Sequence, residues 1–93
     1  MSESAPADRV PAFRRGIKFR FDAVREAWVV LAPERLFLPD EPAVEVLKLV
    51  DGERDVGAIA DDLCARFDAP REVVLADVVE LMDDLAEKGV LTW

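Results

Sequence analysis

From Ile17 the chain alternates before it turns periodic. In Ile17-Lys18-Phe19-Arg20-Phe21-Asp22 apolar and charged side chains take turns, which is the repeat of a half-buried strand with Ile17, Phe19 and Phe21 on one face. After a polar connection through Arg25 and Glu26, the run Trp28-Val29-Val30-Leu31 favours a second strand, the hairpin partner of the first. Pro33 ends it. Leu36-Phe37-Leu38 then stands between Pro33 and Pro39, neither of which can donate to a ladder, so it reads as a short third strand at a sheet edge.

Beyond Pro39 the period changes to that of a helix. Asp40 is a natural cap, with Glu41 and Pro42 in the first turn, and Ala43, Val46, Leu47 and Val50 recur at three- and four-residue steps up to the Asp51-Gly52 turn. Asp55 caps a second helix carrying Val56, Ile59, Ala60, Leu63, Cys64 and Phe67 on its apolar stripe. Pro70 opens a third, which runs to Lys88 and stops at Gly89, and Val90–Trp93 returns to strand. The order predicts an α+β fold. It is winged helix-turn-helix-like, with an N-terminal three-stranded antiparallel sheet followed by three helices and a short C-terminal strand. Residues 1–12, with Pro6 and Pro11 and no apolar period, read as a flexible tail, and 13–93 as one domain.

The third helix carries more apolar surface than one contact needs. Val74, Val78, Leu81 and Leu85 form one stripe, and Leu75, Val79, Met82 and Ala86 form another roughly 100° further round the axis. The second stripe either packs under the N-terminal sheet or walls a groove. Beside the Leu36–Leu38 edge, such a groove would receive an extended peptide: the strand pairs with its backbone and the helix offers pockets.

Composition narrows the chemistry. Ninety-three residues, 52% of them hydrophobic, suit one compact globule, and no apolar run is long enough to span a bilayer. Histidine is absent, so the commonest general base and metal ligand is missing and Ser-His or Cys-His pairs cannot be built. Cys64 is the only cysteine, which excludes an intrachain disulfide and suits a reducing, cytosolic setting, as does a start without a secretory signal. Asp61, Asp62, Asp83 and Asp84 read as a solvated acidic face rather than a cation site, and the isolated glycines make no phosphate loop. Trp28 and Trp93 read as core or rim aromatics.

Charge decides between nucleic acid and peptide. Residues 1–35 hold seven basic and five acidic side chains, and residues 36–93 hold five basic and fifteen acidic ones. A DNA binder making about 6 to 10 phosphate contacts needs a comparable set of basic groups, and residues 36–93 offer only Lys48, Arg54, Arg66, Arg71 and Lys88. The third helix instead sets Glu72, Asp77, Glu80, Asp83, Asp84 and Glu87 against Arg71 and Lys88. Arg14, Arg15, Lys18, Arg20 and Arg35 cluster around the sheet, where they either solubilise it or steer an acidic partner.

The order and spacing of several segments resemble the PqqD family of pyrroloquinoline quinone (PQQ) biosynthesis. These are Gly16-Ile-Lys-Phe-Arg-Phe-Asp22, Trp28, Leu31-Ala-Pro-Glu-Arg35, Leu49-Val-Asp-Gly-Glu-Arg54, Ile59 and the run from Asp77 to Leu85. The resemblance spans almost the whole chain. It implies a recognition module, not an enzyme and without cofactor or metal, that binds the precursor peptide PqqA and presents it to the radical SAM enzyme PqqE, which crosslinks a Glu and a Tyr. By the same analogy the peptide site falls on Arg35, Leu36, Phe37, Leu38, Leu75, Val79 and Met82. The Pro39-Asp-Glu-Pro42 link is stiffer than the polar connection expected there. A cytoplasmic monomer or weak strand-paired homodimer is expected, without nucleic-acid or membrane contact. The rival readings are a winged-helix DNA-binding regulator and a structural subunit of a modifying enzyme.

Overall fold

The computed structural model describes residues 6–93. Five strands and three helices follow one another as β1 (Ala12–Phe13), β2 (Lys18–Asp22), β3 (Ala27–Ala32), β4 (Arg35–Phe37), α1 (Glu41–Leu47), α2 (Val56–Phe67), α3 (Arg71–Glu87) and β5 (Leu91–Thr92). The three-stranded antiparallel sheet has the order β2-β3-β4, with Phe19 opposite Val30 and Leu31 opposite Leu36. The expected α+β succession of sheet, three helices and terminal strand is therefore present.

The helix ends form where capping chemistry put them. Asp40 accepts from the Ala43 N–H at 3.0 Å and Asp55 from the Ala58 N–H at 2.8 Å; each such cap is worth about 1 kcal/mol. Past Leu47 the chain tightens into three-residue bonds, Leu49 N–H to Val46 and Val50 N–H to Leu47, so regular α1 stops before Val50. At the end of α3, Gly89 sits at φ +79°, which lets Val90 donate to Leu85 and Gly89 to Ala86 in a complete Schellman motif.

The expected tail is corrected by the structure. Pro6–Asp8 forms a 3-10 turn, Pro11 is buried, and Ala12 and Phe13 pair with Thr92 and Leu91. The Arg9 carbonyl accepts from the first N–H of α2, Val56, at 2.9 Å. The Arg9 guanidinium lies 4.2 Å from the Trp93 ring centre and donates to the Trp93 carbonyl at 2.7 Å. Local sequence cannot announce a two-residue strand whose partner lies at the other end of the chain. Residues 1–5 of that expected tail fall outside the described residues.

The core gathers Val30 from the sheet, Val46 and Leu47 from α1, Val56, Ile59 and Leu63 from α2, Val78, Met82 and Leu85 from α3, and Leu91 from β5. Phe19 and Phe37 close its sheet side. Phe21, expected on that inner face, is 50% exposed, and its ring meets Trp28 edge-on at 5.9 Å.

Candidate functional site

The sheet edge at β4 is open, and its geometry follows from the turn that precedes it. Ala32 and Arg35 flank the two-residue turn Pro33-Glu34 and are paired, so they exchange both ladder hydrogen bonds. Alternation then makes Leu31↔Leu36 a non-hydrogen-bonded pair and Val30↔Phe37 a bonded one. The N–H and C=O of Leu36 consequently point away from β3, towards the free edge. Leu36 is 40% and Leu38 62% exposed, while Phe37 turns inwards against the core and the Arg35 guanidinium stacks 4.7 Å above its ring.

Where β4 ends, the surface continues into two clefts. The larger, about 780 Å³, runs between the end of the β2-β3 hairpin (Phe21, Trp28), Pro39, α1 (Pro42, Val44) and α3 (Val74, Asp77, Val78), with the 55%-exposed Phe67 at its rim. The smaller, about 480 Å³, lies between Asp40, Pro42 and Ala43 on one side and Asp77, Glu80, Leu81 and Asp84 on the other. The link Leu38-Pro39-Asp40 thus joins the open edge to both.

The larger cleft has an aromatic wall and an acidic rim. Trp28 is stacked on Phe19 at 4.8 Å, and Lys48 lies 5.2 Å from its ring. Glu45 receives Arg66 at 2.9 Å and Lys48 at 3.4 Å. The Arg66 hydrogen bond, helped by Lys48, holds the Glu45 carboxyl below its ordinary value. Glu26, Glu41 and Asp77 complete the rim.

The residues expected on α3 fall differently. Met82 is fully buried at 0% exposure, so it is a core residue and not part of an open surface, a correction to the sequence reading. Leu75 and Val79 are half-buried against the core cluster and line neither cleft. The two stripes straddle the true centre line of α3, Val78-Met82-Leu85, and the cleft side is the one that carries Val74 and Leu81. Trp28, set aside in the sequence as a core or rim aromatic, lines the larger cleft. Its lone position in a strand gave no signal of that role.

Among the described residues no group of three or more carboxylates or thiols converges as a metal site would require, and no helix is long and apolar enough to cross a membrane. Cys64 is half-buried rather than enclosed.

Known proteins share both the sequence and the fold. The family described as coenzyme PQQ synthesis protein D (PqqD) matches residues 27–91. A protein of Bradyrhizobium diazoefficiens named "PqqA binding protein" is 54% identical over 82 residues, covering 88% of this chain and 80% of its own length. In Methylorubrum extorquens the bifunctional coenzyme PQQ synthesis protein C/D is 48% identical over 82 residues, 88% of this chain but 22% of that longer protein. The solution NMR structure of the PqqD truncation of Methylobacterium extorquens PqqCD, described as a functional and stand-alone recognition element for ribosomally synthesized and post-translationally modified peptides, superposes with a TM-score of 0.78. The sequences are 43% identical, covering 95% of this chain and 98% of that one.

Proposed function

The chain belongs to the PqqD family, and we propose on that premise that it binds the precursor peptide PqqA as an added strand along the outward edge of β4 and presents it to the radical SAM enzyme PqqE. The observation that carries this reading is the free edge itself. Leu36 directs its backbone donor and acceptor outwards, its side chain and that of Leu38 are exposed, and Pro39 just beyond them lines the aromatic-walled cleft. Strand addition draws its affinity from such backbone bonds and its selectivity from pockets for alternate side chains.

In this reading Arg35, Leu36, Phe37 and Leu38 form the pairing strand. The α3 contribution comes from Val74, Asp77 and Leu81 on the cleft side together with the half-buried Leu75 and Val79, while Met82 belongs to the core. The module works by binding and orienting and supplies no reactive group of its own, with the enzyme partner in the cytosol.

The test is a titration of isotopically labelled protein with PqqA followed by amide NMR, repeated with duplex DNA. Saturable shifts at residues 35–38 and along the clefts with PqqA alone are the expected result. No response to PqqA, with or without PqqE, overturns the reading.

A further inference from the structure

The cations of this protein are sorted by where they lie. Arg25, Lys48, Arg54, Arg66, Arg71 and Lys88 each have a carboxylate within 4.0 Å, as in Arg71–Asp61 at 2.6 Å and Lys88–Asp84 at 2.9 Å. Arg9 is engaged by Trp93. The five others, Arg14, Arg15, Lys18, Arg20 and Arg35, have no carboxylate that close among the described residues. In a chain of net charge −8, these five stand together at the sheet.

The register says which face most of them serve. Lys18 lies opposite Leu31, Arg20 opposite Val29, and Leu31 opposite Leu36, so these side chains share the face turned away from Phe19, Val30 and Phe37, which close the core. The outer face therefore carries the exposed cations Lys18 and Arg20 on β2, about 7 Å apart along the strand, followed by Asp22, which is paired with Arg25; beside them Val29 is buried, Leu31 is half-buried and Leu36 is exposed. Arg14 and Arg15 precede β2 in the turn closed by the Ile17 N–H on the Arg14 carbonyl, and Arg35 opens β4 at the same end of the sheet.

An added strand beyond β4 does not cover this face. It lies three inter-strand steps from β2, about 14 Å away, too far for its side chains to meet Lys18 and Arg20. Five cations also fall short of the roughly 6 to 10 phosphate contacts of a nucleic-acid binder, and the Leu31-Leu36 pair beside them offers an apolar contact. What fits is a protein surface with carboxylates around an apolar contact.

We propose that the outer face of the β2-β3-β4 sheet is the docking surface for such an acidic partner, the enzyme that receives the peptide. Seated there, the partner spans β2 to β4 and touches any strand added beyond β4, so it contacts module and peptide together. The identity of the enzyme rests on the function proposed above; the face and its charge do not.

The test uses the full chain and its Lys18→Glu/Arg20→Glu variant, with purified PqqE as probe. Affinity for PqqE is measured by biolayer interferometry at low and high salt, with PqqA affinity measured separately and sedimentation recorded for each protein alone. The double variant is expected to lose about tenfold or more in PqqE affinity while binding PqqA within about twofold of the parent. Parent binding to PqqE is expected to weaken with salt, and Lys18→Gln/Arg20→Gln to fall between. Equal PqqE affinity in parent and variant overturns the proposal, as does a parent without PqqE affinity at either salt. Self-association or duplex-DNA binding of the parent that the variant abolishes, with PqqE affinity retained, also overturns it, in favour of a second copy or a nucleic acid. A parent that fails to bind PqqA but loses PqqE affinity on charge reversal sinks the peptide reading and leaves the docking face standing.

Discussion

Leu36→Pro separates the free edge from the rest of the fold. The Leu36 N–H points away from β3, so proline there removes no bond of the β3-β4 ladder, and its fixed φ is tolerated at a sheet edge. The hairpin therefore survives with a modest loss of stability. On the outward side the effect is larger. By alternation only Leu36 and Leu38 offer outward backbone groups before Pro39 ends the ladder, so an added strand forms about four bonds, each worth about 0.5–1.5 kcal/mol net. Proline deletes one donor outright, and its ring crowds the neighbouring bond. A loss of about 1–3 kcal/mol, or about 5- to 150-fold in PqqA affinity, follows. Leu36→Ala is the control, because it keeps the N–H and removes only a partly exposed side chain. Calorimetric titration with PqqA, on variants whose folding is verified by circular dichroism, reads both. A folded Leu36→Pro variant that binds PqqA within about twofold of the parent refutes the edge placement.

Three other outcomes follow from particular contacts. Met82→Leu, a volume-conserving change at a fully buried site, is expected to cost less than about 1.5 kcal/mol in urea unfolding and to leave PqqA affinity unchanged; a loss of affinity in the folded variant would return Met82 to the site. Gly57 is buried where α2 meets the N-terminal turn, and a Cβ there would lie 3.2 Å from the Ala7 carbonyl oxygen. Gly57→Ala should thus loosen that turn and speed amide exchange at Val56, whose N–H is held by Arg9; unchanged exchange refutes this. The Asp51 carboxyl is held below its ordinary 3.8 chiefly by the Arg54 N–H and then by that of Glu53. A depressed carboxylate stabilises the fold above its unfolded-state pKa and loses that contribution as pH falls through the folded value. Melting temperature should therefore drop between about pH 5 and pH 3, less steeply in Asp51→Asn, which still accepts both bonds but does not titrate.

Most elements are legible in the sequence because local chemistry fixes them. Asp40 and Asp55 bond the N–H groups expected of caps, Gly89 takes the left-handed turn, and Pro33 and Pro39 bracket a three-residue strand at a sheet edge. β1 and β5 are not legible as a pair, since two residues have no period and their partner is set by tertiary folding some eighty positions away. The candidate site divides on the same line. The edge is a matter of local turn geometry, whereas the working face of α3 depends on which of two apolar stripes the rest of the core claims, and the core takes its centre line from between them.

The distribution of charge explains how a helix-turn-helix-like arrangement serves a peptide instead of DNA. On α3 every carboxylate is exposed, while Arg71 and Lys88 are bound by Asp61 and Asp84, so the helix that would read a groove offers a phosphate no uncommitted cation. The cations without a carboxylate within 4.0 Å among the described residues lie on and beside the sheet, where Arg35 also guards the β4 edge. An open edge invites self-pairing, and this one is kept to three residues, ended by Pro39 and flanked by that charge. These features disfavour a second copy of β4, whose Arg35 would repel its twin. A short acidic or neutral strand meets no such penalty and gains the clefts beside it. The edge is therefore receptive to a peptide because it is too short and too charged to receive itself.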